Sequence, residues 1–250
     1  IKNGTVSTSG SGVINVVLWS DFDNTNNDGG VSNVGSITTN GGHVWMGGSS
    51  TNGGSYTWNN LTVGDGPSIG NNGYNWYALD FDGAITTNGG DLLVWADMGH
   101  DGVNGNSNHG IMTSTNNLEW NVGNGDIVLI TPFIRGTGLS RFRQSGGTFT
   151  LVPSGGAFPN TLDWTPTIGT YGSMTGWDLP SGDFNSLWIE NPNLLTSLKI
   201  GSYDGMSSGG SPVTLSNSSN VTIGTAMSIA GPISLHGGAM ALNANITSSG

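Results

Sequence analysis

Short runs of alternating apolar and polar residues, each closed by glycine or asparagine, recur along the whole chain. The most regular is a hexapeptide present twice, Ile37-Thr38-Thr39-Asn40-Gly41-Gly42 and Ile85-Thr86-Thr87-Asn88-Gly89-Gly90. Alternation predicts a short strand. The Asn-Gly-Gly end predicts a corner, because positive φ is cheap for glycine and tolerated by asparagine. A second apolar run follows each corner: His43-Val44-Trp45-Met46 after the first, Asp91-Leu92-Leu93-Val94-Trp95 after the second. A looser copy spans Pro232 to Gly238 and leads into Ala239 to Ile246. No window sustains the apolar period of an α-helix, and glycine interrupts every attempt, so almost no helix is expected.

The repeat is longer than the hexapeptide. Val13 to Trp19 and Leu92 to Trp95 both run into polar loops, with Trp19 matching Trp95 and Asp21 matching Asp97. Between them, Gly54 to Trp58, Leu61 to Gly64 and Asn75 to Asp80 read as further strands at the same spacing. Residues 131–197 are richer in proline and less regular, with longer excursions; repetition resumes at Ser197-Leu198-Lys199-Ile200-Gly201 and runs through Val213 to Leu215, Asn220 to Ile223 and Met227 to Ile229. Recurring strand, corner, strand units bury their apolar faces only against similar neighbours. The pattern predicts an all-β fold, a right-handed parallel β-helix (β-solenoid) running as one continuous segment over 1–250. Coils of about 20–25 residues would give roughly ten turns and a rod on the order of 50 Å long.

Composition sharpens this. Forty-four glycines and 8% charged residues depart from an ordinary soluble enzyme, while nine tryptophans and seven phenylalanines set inside apolar runs argue for a folded chain. Asn and Thr at corners would stack into hydrogen-bonded ladders. The absence of cysteine excludes disulfides and thiolate metal sites. Sixteen acidic against five basic residues give a net charge of −11, which repels nucleic-acid phosphates and anionic lipids. Cations, neutral glycans or other surfaces remain as partners. No run is long enough for a membrane-spanning helix, and the sequence reads as an excerpt of a longer polypeptide.

The segments Thr148-Phe149-Thr150-Leu151-Val152-Pro153-Ser154-Gly155-Gly156, Leu198-Lys199-Ile200-Gly201 and Val221 to Gly238, with Val17-Leu18-Trp19-Ser20-Asp21 and the Asn-Gly-Gly hexapeptides, resemble the repeats of the very large secreted adhesins of gliding bacteria, the SprB-like adhesins. Filamentous-haemagglutinin-like β-helices share such patterns. The resemblance covers nearly the whole chain. It implies an extracellular, cell-surface location, export by a type IX or comparable route, and a non-enzymatic role as an adhesive or spacer stalk in surface attachment or gliding. Neighbouring repeats of the same polypeptide, surface glycans and abiotic surfaces are the implied partners.

The sharpest chemical candidate is Asp21-x-Asp23-x-Thr25-x-x-Asp28-Gly29, oxygen donors at near-alternate positions as in calcium loops, though without the bidentate glutamate of an EF-hand. Calcium in this loop stands against a solvated turn in which Asp and Asn cap their own backbone, and zinc at His100 and His109 beside Asp97 and Asp101 stands against a merely exposed loop. Asp80 and Asp82 lie two residues apart on a strand; a β-helix lyase or hydrolase, the alternative function alongside a carbohydrate-binding module, would need acids such as Asp80, Asp82, Asp126 or Asp163 to converge beside Arg or Lys. His43, His100, His109 and His236 lack metal-ligand spacing. Arg135, Arg141 and Arg143 form a basic cluster where a carboxylate-rich glycan could dock, set against local pairing with the chain's own acids. Trp19, Trp45, Trp95 and Trp188 read as coil packing; Trp58, Trp76, Trp120, Trp164 and Trp177 have polar or turn neighbours, where exposed rings could stack on sugars. Ice binding would need a regular Thr ladder, and Ile-Thr-Thr occurs only in two copies.

Overall fold

A computed structural model of the chain describes residues 4–8, 10–24, 30–69, 78–97, 110–113, 118–136, 140–171, 174–179, 184 and 187–249. The described residues are all-β, apart from a 3-10 turn at Pro192–Leu194 and a residue at 184 in the same conformation.

Three largely parallel sheets organise the chain. The first runs Val6–Ser7, Ile37–Thr38, Ile85–Thr86, Leu118–Gly123, Ser140–Gln144 and Leu187–Glu190. It ends in two antiparallel strands, Met174–Leu179 and Thr167–Tyr171. The second has seven strands: Val16–Trp19, Val44–Gly47, Leu92–Trp95, Ile127–Ile130, Thr148–Val152, Ser197–Ile200 and Ile233–Leu235. The third holds Val31–Val34, Leu79–Phe81, Ile111–Thr113 and Ile134–Gly136. From Val6 to Val152 the chain visits first, second and third sheet in unchanging order, leaving it once for a hairpin. Beyond it, Leu162–Trp164, Val221–Ile223 and Met240–Leu242 pair in parallel, as do Met227–Ile229 and Ile246–Ser248.

Register turns sequence repetition into columns. The two hexapeptides lie side by side, Ile37 opposite Ile85 and Thr38 opposite Thr86. The column continues through Trp120, Phe142 and Ile189. In the second sheet Val16, Val44, Leu92, Ile127, Phe149 and Leu198 align, and two residues on so do Leu18, Met46, Val94, Leu129, Leu151 and Ile200. These positions, with Leu79, Phe81, Ile111 and Ile134 of the third sheet, form one apolar core. Phe81, Trp120 and Phe142 stack through it at centroid distances of 4.6 and 4.7 Å, tilted and edge-on, the geometry aromatic quadrupoles favour.

Glycine makes the corner between first and second sheets. A Cβ on Gly42 would lie 1.8 Å from the Ile14 carbonyl oxygen, on Gly90 2.0 Å from that of Gly42, on Gly125 2.2 Å from that of Gly90, and on Gly147 2.2 Å from that of Gly125. Thr39 and Thr87, both fully buried, donate their hydroxyls to the Gly42 and Gly90 carbonyls. Two layers beyond Thr87, Gln144 gives its amide to the Gly125 and Thr148 carbonyls at 2.9 and 3.1 Å.

Several expectations change. Ser55–Trp58 and Leu61–Gly64 are not parallel layers: they form an antiparallel hairpin whose two-residue turn, Asn59-Asn60, has φ of 47° and 60°, the positive values a type I′ turn needs. Ser202–Ser208 and Ser211–Ser216, the latter containing Val213 to Leu215, form a second hairpin, and the two join at Ser207 and Thr57 into a four-stranded cover. The cover buries the outer face of the second sheet, packing Trp58, Val63, Tyr203 and Met206 onto Trp45, Leu93, Val128 and Ile130. Trp58 Nε1 donates to the Tyr203 hydroxyl at 2.8 Å across 145 residues of sequence. The second sheet has seven strands rather than roughly ten, since layers are spaced 28, 48, 35 and 22 residues apart. The third, looser repeat is out of phase: its Ile233–Leu235 lies in the second sheet, where the hexapeptide strands lie in the first.

Candidate functional site

One polar residue opens each of the first five strands of the second sheet, in four of them directly after a corner glycine, and these residues stack into a ladder. Asn15 Oδ1 accepts from the His43 amide (2.8 Å), His43 Nδ1 from the Asp91 amide (3.0 Å), Asp91 Oδ1 from the Asp126 amide (2.8 Å), and Asp126 Oδ1 from the Thr148 amide (2.7 Å). Each side chain thus satisfies a backbone donor of the next layer. The Asn59 amide nitrogen also approaches His43 Nδ1 at 3.2 Å, and Asp91 Oδ2 lies 3.4 Å from the same ring nitrogen.

The ladder borders a groove. Asn59, at the hairpin turn of the cover, donates to Asp91 Oδ2 at 2.6 Å. Beside it the cover and the second sheet leave a recess of about 160 Å³ whose lining includes Trp58, Asn59, Asp91, Asp126, Thr150, Lys199, Tyr203 and Asp204. Lys199 Nζ lies 3.6 Å from Asp204 Oδ1. Burial, and then the neighbouring Asp91, raises the Asp126 carboxyl above its ordinary range, against the lowering effects of the Thr148 amide and Lys199. Burial likewise raises the Tyr203 phenol, so that hydroxyl stays protonated.

A second charged cluster lies on the first sheet. Arg141 Nη2 meets Glu119 Oε2 at 3.3 Å, Arg143 Nη1 meets Glu119 Oε1 at 3.4 Å, and Arg143 Nε meets Glu190 Oε1 at 3.2 Å. These two arginines are therefore internally paired, as their local acids suggested; Arg135 stands over the Phe133 ring at 5.2 Å. Glu190 is buried, and desolvation raises its carboxyl despite Arg143 and Arg141, with Glu119 adding to the rise. An acid raised in the folded state binds more protons there than when unfolded, so it contributes stability below its unfolded value and loses it as pH climbs through the folded value. The melting temperature is expected to rise as pH falls from 7 towards the ordinary glutamate value of 4.5. Glu190→Gln should flatten that slope; an unchanged slope in thermal melts at stepped pH would overturn the assignment.

The other candidates disperse. Asp21 and Asp23 lie at a tight turn, with Asp21 at φ 48° and the Asn24 amide bonded to the Asp21 carbonyl at 3.2 Å; Thr25 and Asp28 are outside the described residues. A calcium titration of the melt decides this loop, since an ion at a hundred times its Kd adds about 2.7 kcal/mol. Asp80 is on the third sheet and Asp163 on the strand Leu162–Trp164, and neither they nor Asp82 line the groove beside Asp126. His100, His109 and Trp76 are outside the described residues. Among those described, no group of three or more His, Asp, Glu or Cys side chains is placed to hold a metal, and no helix is long and apolar enough to cross a membrane. Trp58, Trp120, Trp164 and Trp177 are buried, as are Trp45, Trp95 and Trp188, so these rings serve packing.

Sequence reading missed Asn59, Asp91, Lys199 and Asp204 as neighbours. A signal for Asp91 and Asp126 existed: Gly-His-Val, Gly-Asp-Leu, Gly-Asp-Ile and Gly-Thr-Phe recur at 42–44, 90–92, 125–127 and 147–149. No protein-family model, curated protein or solved structure matches the chain.

Proposed function

We propose that the chain is a right-handed β-solenoid segment of a large cell-surface adhesin, a non-enzymatic stalk that holds distal parts away from the cell and contributes to attachment to glycans or abiotic surfaces, or to gliding. The observation that carries this reading is the repeated order of sheets from Val6 to Val152, interrupted once by a hairpin, with like residues aligned layer on layer. Such an arrangement extends in one dimension, each layer resting only on its neighbours. A low charge density and a net charge of −11 suit an exposed surface that resists self-association.

One observation favours a lyase or hydrolase instead: Asp126, with a raised carboxyl, stands beside Asp91 and Lys199 in a groove. Yet an oxygen of each acid already caps the next layer's amide, and Asp91's other oxygen holds Asn59. The pair is accounted for by its structural work, and the stalk reading is the better supported.

Beads coated with the purified chain are expected to be retained on polysaccharide-coated or bare abiotic surfaces above the level of albumin-coated beads, and scattering should give an elongated particle. A compact particle without retention would refute the stalk reading. Release of reducing ends from any polysaccharide, abolished by Asp126→Asn, would establish the enzyme instead.

A further inference from the structure

We propose that the groove between the antiparallel cover and the second sheet is a binding site for one uncharged hexopyranose unit of a surface glycan. The inference rests on the adhesive reading and gives that adhesion a location and a chemistry.

The outward column of the second sheet runs Val17, Trp45, Leu93, Val128, Thr150, Lys199, Ser234. The cover seals the apolar members Trp45, Leu93 and Val128. The groove opens where the column turns polar, with Val128 and Thr150 in its lining. A cover serving only to exclude water from apolar surface has no use for a polar recess at its edge. At about 160 Å³ the recess holds roughly five waters, well below the size of drug-like sites. One small ring fits that space.

The groups around it select the ring's chemistry. Lys199 Nζ is a donor, the carboxylates of Asp126 and Asp204 are acceptors, and the Thr150 hydroxyl is either. A bare cation would call for oxygen acceptors alone. An anionic sugar would meet Asp91, Asp126 and Asp204 on a chain of net charge −11. Sugar hydroxyls donate and accept together, and so use both kinds of group. Trp58 and Tyr203, both buried, form the rigid back wall of the recess. Their mutual hydrogen bond, the hold of Asp91 on Asn59 and that of Thr148 on Asp126 fix the walls before any ligand arrives, which limits the entropy lost on binding.

The test uses the whole chain and two variants outside the core. Lys199→Met removes the ammonium and keeps the stem; Asn59→Gly removes the amide at a position whose φ of 47° glycine accepts. On an array of neutral, amino and uronic-acid glycans the unaltered chain should retain neutral hexose-containing glycans. Calorimetric titration with the best of them should show affinity falling about ten-fold or more in each variant, the effect of losing a hydrogen bond to a charged or preorganised group, with melting temperatures unchanged. Absence of neutral-sugar binding, undiminished binding in both variants, or preference for amino or uronic sugars overturns the proposal. Lys199→Met beads retained on surfaces at the parent level would remove the groove and leave the adhesive reading standing. Failure of parent beads to be retained, alongside titratable sugar binding, would remove the adhesive reading and leave the groove.

Discussion

Replacing Gly90 with alanine is expected to cost about 3 kcal/mol, at the upper end of what overpacking does. The added methyl would sit 2.0 Å from the Gly42 carbonyl oxygen and 2.4 Å from its carbon. Both are backbone atoms, so no side chain can rotate away. The layers could make room only by moving apart, but parallel strands are held about 4.8 Å apart by their hydrogen bonds, and Leu92 to Val94 are paired to the layer before them and the layer after. The Gly42 carbonyl is moreover engaged by the Thr39 hydroxyl, so displacing it exposes a buried partner. Two comparisons isolate the contact. Gly155 has ordinary φ and open space where a Cβ would go, and alanine there should change stability by less than about 0.5 kcal/mol. Gly41, with φ of +99° and nothing within 4 Å, should pay only backbone strain, about 1–2 kcal/mol. Urea melts of the three variants check the order; Gly90→Ala melting beside Gly155→Ala would show that the corner is not held by stacked glycine.

The corner was legible because its chemistry is local. Asn-Gly-Gly after an alternating strand states a turn, and repetition of the hexapeptide predicted stacking on similar neighbours; the register that sets Ile37 beside Ile85 depends on the fold. The cover was not legible by the same means. Tyr56 and Trp58 alternate with polar neighbours as any layer strand does, and what makes them a hairpin is a turn of two residues, Asn59-Asn60, too short for a parallel crossover. That signal was in the sequence. The partnership of Trp58 with Tyr203 was not, because it depends on where a segment 145 residues away leaves the stack. The groove inherits both halves of this contrast: Asp91 and Asp126 share a recurrent place after glycine, whereas Asn59, Lys199 and Asp204 reach it only through the packing of the cover. The four tryptophans with polar neighbours that turned out buried follow the same logic, since alternation hides one face of a strand whatever the other face carries.

Trp120→Ala should cost about 3–5 kcal/mol. Its indole is fully buried in the column between Ile85 and Phe142, with Phe81 at 4.6 Å, and neighbours held by two sheets cannot collapse into the cavity. Trp120→Phe should be far milder, below about 1.5 kcal/mol, because the ring stack survives and the indole N–H, buried without a hydrogen-bond partner, is lost. The location of the damage matters more than its size. If layers rest only on their neighbours, as the solenoid proposal holds, amide protection should fall first at Ile85–Thr86, Leu118–Gly123 and Ser140–Gln144, while Val221–Ile223, paired with Leu162–Trp164 and Met240–Leu242, keeps its parent exchange rate. A uniform loss of protection along the chain would mean that the sheets share one cooperative core, and the case for a one-dimensional stalk would fall with it.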